Sequence, residues 1–511
     1  MFPLPWPYWH YWFTAYFHFR RPTTLTDKDT IVLADFTNST GDPVFDGTLR
    51  KGLAVQLEQS PFLSLVSDDR IQRTIGLMGR PSDTRLTPEV AREVCERTAS
   101  AAVLDGSIAS LGTEYVLGLR AKDCHTGSIL AEEQGQAAKR EDVLNVLSQI
   151  ATKFRTRVGE SLSTVEKHNT PLEEATTPSL EALKAYSTAM KVNVSDGTAA
   201  GLPLFQRAIQ IDPQFAMAYA HLGLVYSELG ESVLAAENAT RAHELRNPSS
   251  DREKFFITAI YHRQVTGNVE KAHQTLELWA ETYPRDLAAH ALLSGFCSQS
   301  LGKFEQSIEE AQKAIELDPD FSFGYNNMAA GYLYMNHLSE AGNVVRQASE
   351  RKLETHDLAI IHYYIALLDG DKSGMDRAAA KAKGNPGEDL ISHSEALRLA
   401  RSGQIQRANE MSRRAVDLAQ QAGQQERAAV FETGPAVWEA FFGNAPSVRQ
   451  GATVALELSK GRDAESGAAL ALAVAGDAPG PRLSPATSKS VSPRIPPSNL
   501  RICQRFAHCL L

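Results

Sequence analysis

From residue 216 to 247 the chain carries two apolar runs at helical spacing, with polar residues on their outer faces. Tyr219, Leu222, Gly223 and Tyr226 mark the first run, Ala235 and Ala242 the second, and Asn247-Pro248 ends the unit. One such helix pair, about 34 residues long, cannot cover its own apolar face and needs a neighbour. Neighbours are present. Pro213, Pro248, Pro284 and Pro319 fall 35, 36 and 35 residues apart, each just beyond an apolar helical run. Proline lacks a donor and restricts the residue before it, so it marks where one pair stops. In phase with the prolines, a small residue returns as Ala189, Gly223, Gly295 and Ala329, and a second as Ala208, Ala242, Ala314, Ala348 and Ala415.

The copies at 216–248 and 322–350 are strongest, and those at 182–213 and 288–319 are good. The copy at 253–284 departs, with Trp279 where a small residue is usual. Beyond Lys352 the period blurs. Residues 357–368, 390–401, 404–419 and 428–442 read as amphipathic helices, and a further helix at 465–475 stops where its partner should begin.

Residues 29–163 follow another pattern. An apolar strand at 31–36 leads into turn chemistry at 38–43, Asn-Ser-Thr-Gly-Asp-Pro. A helix is expected at 44–59, a second strand at 62–66, and helices at 68–78 and 88–97. Thr87-Pro88 supplies a cap and a first-turn proline for the last of these. Strands at 101–109, 114–122 and 128–134 follow, with Asp105-Gly106 as a kink and Leu111-Gly112-Thr113 as a hairpin turn. A helix at 142–159 closes the order, which describes one sheet with helices packed on it.

The repeats resemble the tetratricopeptide repeat (TPR). The pieces "IVLADF", "FLSLVSDDRI", "AAVLDGSIA" and "LRAKDCHTGSIL" resemble the N-terminal domain of the TolB family over some 130 residues. The expected fold is therefore an α+β N-terminal domain followed by an all-α TPR superhelical solenoid. Its expected segments are a leader or membrane-anchor remnant at 1–25, a TolB-like α+β domain at 26–165 and a linker at 166–179. A TPR solenoid at 180–352, degenerate TPR-like helical repeats at 353–477 and a disordered Pro/Ser-rich tail at 478–511 complete them. As a whole, 26–475 resembles the extracytoplasmic region of bacterial membrane-spanning Ser/Thr protein kinases. That resemblance implies a non-enzymatic scaffold in envelope signalling, or else the sensor part of a receptor kinase severed from its catalytic domain. It implies a membrane-associated, periplasmic setting, with a cytoplasmic one left open. The chain has no Gly-rich phosphate loop, no His-Arg-Asp and no Asp-Phe-Gly, the parts phosphoryl transfer requires.

Of the 511 residues, 43% are hydrophobic and 22% charged, ordinary for globular domains. A net charge of −9 without any Lys/Arg-rich run argues against nucleic acid as a partner. The two ends differ from the rest. Residues 1–19 hold ten aromatics and no charged side chain, then Arg20-Arg21, which reads as either a disturbed membrane anchor or a leader without a role. Membrane association is expected through residues 1–21 if the first reading holds. Residues 478–511 hold six prolines, five serines, five Lys/Arg and no acid, consistent with a disordered tail or a shifted reading frame.

Catalytic, cofactor-binding and metal-binding residues are not expected. Asp369, Asp371, Ser373 and Gly374 imitate half a calcium loop, but Ala380 stands where a bidentate glutamate is needed, so an interhelix turn is expected. The partner expected is a protein or peptide lying along the first helix of each repeat. In phase, Phe296 and Gln299 of the 288 copy and Phe323, Asn326 and Tyr334 of the 322 copy point into that groove. Asn327 falls at a packing position between repeats. Cys95 and Cys124 are the only two cysteines of the N-terminal domain, and form either a disulfide, which would signal an oxidising compartment, or two unrelated buried thiols.

Overall fold

The computed structural model describes residues 25–81, 84–195, 197–353 and 355–476. The aromatic leader and the Pro/Ser-rich tail lie outside the described residues. The chain divides into two compact units at residue 180.

In the first unit, β1 (Ile31–Leu33), β2 (Thr37–Asn38), β3 (Ala102–Leu111), β4 (Glu114–Asp123) and β5 (Ile129–Ala137) form one sheet. Both β1 and β2 run parallel to β3, and β3-β4-β5 is an antiparallel meander. Helices α1 (Thr48–Glu58), α2 (Asp68–Leu77), α3 (Pro88–Arg97) and α4 (Val143–Arg157) surround it. Alternate residues of a strand face opposite ways, which sorts the two layers. Val32 and Val103 meet Ile71 and Ile75 of α2 and Val90 and Val94 of α3. On the other side Gly135 lies so close to Val146 and Ile150 of α4 that a Cβ would stand 2.6–2.8 Å from their methyls. Thr87 caps α3 ahead of Pro88, as expected. The β4–β5 turn is tied by Asp123 Oδ1, which accepts from the backbone of His125 and Thr126.

Three expectations need correction here. Residues 62–66 form no strand, only an isolated bridge from Ile31 to Leu65. Ser60 Oγ ties down the amides of Phe62 and Leu63, and Ser67 already caps α2, so too little chain remains to extend. Asp105-Gly106 is no kink, since β3 pairs with β4 without interruption there. The glycine instead makes room for the Phe36 ring, 2.5 Å from where its Cβ would be. Residues 166–179 are not a free linker. They contain α5 (Leu162–Lys167, beginning just before) and α6 (Leu172–Ala175), and Leu172 and Thr177 are fully buried. Gln59 brackets the backbone of Thr170, and the buried Arg155 guanidinium grips Glu160 through two bonds and the His168 carbonyl through a third. Thr and Pro content suggested a linker, but those polar backbone groups have partners within the domain.

Among the described residues the second unit is helical throughout, without a strand. Its helices are α7 (Leu180–Ser195), α8 (Leu202–Ile211), α9 (Ala216–Glu228), α10 (Ser232–Leu245), α11 (Asp251–Gln264), α12 (Val269–Thr282) and α13 (Leu287–Leu292). After α13 the helix continues through a π-segment, Leu293–Ser298. Then come α14 (Phe304–Leu317), α15 (Ser322–Tyr334), α16 (Leu338–Glu350), α17 (His356–Asp369), α18 (Lys372–Ala382) and α19 (Glu388–Arg401). Last are α20 (Ile405–Gln421), α21 (Gln425–Phe441), α22 (Ala445–Leu458) and α23 (Arg462–Val474). Consecutive helices pair and stack in register with the proline period. The small residues are its physical basis: Ala208, Ala235, Ala242, Ala314 and Ala348 are completely buried, and a Cβ on Gly223 would lie 3.2 Å from the Ala235 carbonyl and the Ala239 amide. Turns inside the pairs need a left-handed residue, supplied by Gly230, Gly302, Gly370 and once by Asn336.

Trp279, the odd residue of the third pair, is buried and donates from Nε1 to Asp286 at 2.9 Å, with Arg252 over its ring. A larger side chain is accommodated because its polar atom has a partner. The pairing persists where the sequence period blurred. There α18 and α22 complete pairs that the sequence pattern left unassigned. Gly370 and Asp371 form the turn between α17 and α18, Ser373 and Gly374 already lying in the first turn of α18, and Asp371 accepts from Ser373 Oγ.

Candidate functional site

The groove positions expected from the sequence fall on the first helices of the pairs, α7, α9, α11, α13, α15, α17, α19 and α21. Phe323 is half exposed at the start of α15 and tilts against Phe321 at 5.7 Å between centroids. Tyr334, at the other end of α15, is 39% exposed and stacks on Phe304 at 5.4 Å. Between them Asn326 holds its Oδ1 out of solvent with no hydrogen-bond partner among the described residues. An unpaired buried amide oxygen costs free energy unless something donates to it. On α15 it lies three residues after Phe323 and eight before Tyr334.

Phe296 and Gln299 are placed differently. Phe296 lies under the Arg263 guanidinium, 3.9 Å from its centroid, and its carbonyl accepts from the same group. Gln299 donates from Nε2 to Ser307 Oγ at 3.3 Å and to the Asn327 carbonyl at 3.2 Å. Its amide is occupied between repeats, so the expected grip on a partner backbone does not fit Gln299. The reason is the π-segment: one extra residue in the turn rotates the following side chains toward α14 and α15. Asn327 does pack between repeats, donating to Ala291 O and Ser294 Oγ at 3.2 and 2.8 Å, with Gly295 against its amide.

Two first-helix residues with unpartnered buried atoms escaped the sequence reading. Asn193 near the end of α7 and His393 on α19 also hold an unpartnered buried atom, Oδ1 and Nδ1 respectively. Burial pushes the His393 imidazole down to about 4, so it is neutral at physiological pH, its ring stacked on Phe431. Asn193 lies in the good 182–213 copy, where phase alone could have marked it, whereas His393 lies where the period blurs. Glu228, at the end of α9, is exposed and accepts from Thr198 Oγ1 at 3.2 Å.

The chemistry on offer is aromatic faces and neutral amide or imidazole acceptors, suited to an extended polypeptide with its own N–H donors. The buried Cys297 thiol is pushed up to about 11 by desolvation, away from the thiolate a nucleophile needs. Among the described residues no three His, Cys, Asp or Glu side chains group as metal ligands. Nor is any helix there long and apolar enough to cross a membrane. In the first unit, Cys95 and Cys124 are joined, their Cα atoms 6.1 Å apart, and both are buried.

No protein-family model and no curated protein matches the chain. Among solved structures, a thermophilic TPR protein of Thermus thermophilus is 23% identical at a TM-score of 0.30, covering 37% of this chain and 98% of its own. The type IV pilus biogenesis factor PilW is 16% identical at 0.30, covering 40% and 93%. The LpoB C-terminal domain from Salmonella enterica is 17% identical at 0.21, covering 22% and 86%. At such scores these likenesses say nothing about partners.

Proposed function

We propose that this chain is a non-enzymatic protein–protein interaction scaffold whose second unit, a TPR-type helical solenoid, holds an extended protein segment along its first helices. The observation that carries the reading is Asn326: a buried acceptor without a donor, flanked on one helix by the exposed rings of Phe323 and Tyr334. Aromatic surface gives contact area at small entropic cost, and the amide sets the register of a bound backbone.

The setting we propose is a bacterial envelope or signalling complex, with the first unit as a TolB-like module. The Cys95–Cys124 bond supports that compartment, because such bonds persist in oxidising surroundings. The sensor part of a receptor kinase is the same scaffold in another genetic context, and an adjoining kinase reading frame would favour it. The test of the scaffold is affinity capture with the full chain and with Asn326→Ala and Phe323→Ala variants. Specific partners retained by the parent and lost by both variants support the reading. Equal capture by all three contradicts it.

A further inference from the structure

The helix α23 is a first helix whose second is missing among the described residues. It repeats α21: Gly434, Ala436, Ala440 and Gly443 return 33 residues later as Gly467, Ala469, Ala473 and Gly476. Gly443, at φ 75°, turns the chain from α21 into α22 and donates to the Ala440 carbonyl at 3.1 Å. Gly476, at φ 71°, donates to the Ala473 carbonyl at 3.1 Å. The chain thus leaves α23 by the left-handed turn that elsewhere opens a second helix. The likeness extends to Gly-Asn-Ala-Pro at 443–446, which starts α22, and Gly-Asp-Ala-Pro at 476–479. Gly480-Pro481 then breaks the helical pattern. Burial registers the same loss. Ala436 and Ala440 of α21 are buried, and a Cβ on Gly451 of α22 would stand 3.1 Å from that of Ala436. Their counterparts in α23 are open: Ala469 is half-buried and Ala473 exposed. Leu470, the counterpart of the partly buried Val437, is 56% exposed. A helix that ends such an array carries a polar outer face, yet no charged residue follows Glu465 in α23.

We propose that residues 498–511 of the chain pack on this open face of α23 as the second helix of a ninth pair. All six prolines of 478–511 lie before Ser498, and the stretch from there on has neither proline nor glycine. Ser498 stands where a helix cap is needed. At helical spacing Arg501, Gln504, Arg505 and His508 fall on one side, and every other position from 500 to 511 is apolar. That pattern is what a helix covering Leu470, Ala473 and Val474 requires. Residues 499–511 also match in number the 13 of α23. The connection is residues 477–497, where the other pairs use a short turn. A flexible chain of that length spans about 25 Å, against ~20 Å for the length of α23, so the segment reaches either end of the helix. Lengthening the connection costs little, because closure entropy grows only with the logarithm of loop length. Tethering also favours this occupant over a second molecule, since a linked segment meets its site at an effective concentration in the millimolar range. The chain itself then covers a face that would otherwise gather other apolar surfaces.

The test uses the full chain, with Leu470→Glu on the helix face and Phe506→Glu on the segment as separate variants. Leu470 is exposed on α23, so its replacement leaves the buried contacts of the preceding pair in place. Amide exchange followed by mass spectrometry reads 499–511 and α23, with α15 as the internal control, and sedimentation equilibrium reads the association state. In the parent, 499–511 should exchange about tenfold or more slowly than 480–492, and Leu470→Glu should abolish that difference. Phe506→Glu should speed exchange in α23 by a similar factor while α15 stays constant. Equal exchange of 499–511 and 480–492 in the parent would overturn the proposal. So would protection of 499–511 that survives Leu470→Glu, because the segment would then dock elsewhere. A parent dimer that Leu470→Glu makes monomeric, with 499–511 unprotected in both, would overturn it in favour of a second copy on this face. Protection that arises only when vesicles of anionic lipid are added would overturn it in favour of a membrane surface.

Discussion

Reducing or deleting the Cys95–Cys124 bond should weaken the first unit selectively. The two cysteines are 29 residues apart in sequence and both lie in the layer of Val90, Val94 and Val103 between α3 and the sheet. Loop-closure entropy, −2.1 − 1.5R ln n cal/mol/K, gives ~3.6 kcal/mol at 25 °C for a loop of about 30 residues. The paired replacement Cys95→Ala, Cys124→Ala removes that constraint without leaving a buried hydroxyl. The described tryptophans, Trp279 and Trp438, both belong to the second unit, so fluorescence would miss the effect. Amide exchange of β3 and β4 in the full chain reads it directly. Protection there should fall by roughly 10²–10³, the factor corresponding to ~3.6 kcal/mol, while α15 and α16 keep theirs. Unchanged protection in β3 and β4, or alkylation of both Cys95 and Cys124, located by peptide mass in unreduced protein prepared under oxidising conditions, would refute the reasoning.

Acid should loosen the solenoid through His393. Its folded-state value, about 4, lies below the ordinary 6.5, so the neutral ring stabilises the fold fully above pH ~6.5 and that stability is lost as pH falls toward 4. The loss is at most ~3.4 kcal/mol, and denaturant titration followed by tryptophan fluorescence should show it in the parent chain but not in His393→Leu. Asn327→Ala removes the donor to Ala291 and Ser294 and should cost ~1–3 kcal/mol, read as a lower urea midpoint of tryptophan fluorescence. Gly106→Ala drives a methyl into the Phe36 ring and should cost ~1–3 kcal/mol, visible as faster exchange in β3 with the second unit unaffected.

The parts of the fold legible in the sequence are those with a period. Proline spacing and the alanines of one face fixed the helix pairs, because close packing of two helices tolerates only small side chains at each crossing. The hairpin at Gly112 and the cap at Thr87 were legible because turn and cap chemistry is local. What escaped depends on partners distant in sequence. Gly106 looked like a kink because nothing nearby announces Phe36, and residues 166–179 looked like a linker because Gln59 and Arg155 lie upstream. The groove divides in the same way. Phe323 and Tyr334 sit on a regular helix, and their exposure follows the phase of the repeat. A π-segment displaced Gln299 into the packing, and no period reveals such a segment in advance.

The most direct trial of the scaffold account is photo-crosslinking in the cell with a benzophenone amino acid at position 323 or 278 of the full chain. Position 323 stands on a first helix beside the unpaired Asn326, while Leu278 is equally exposed on a second helix. Discrete protein adducts at 323, absent at 278 and reduced by Asn326→Ala, are the result predicted. Adducts at both positions alike, or at 278 alone, would mean that partners do not lie along the first helices.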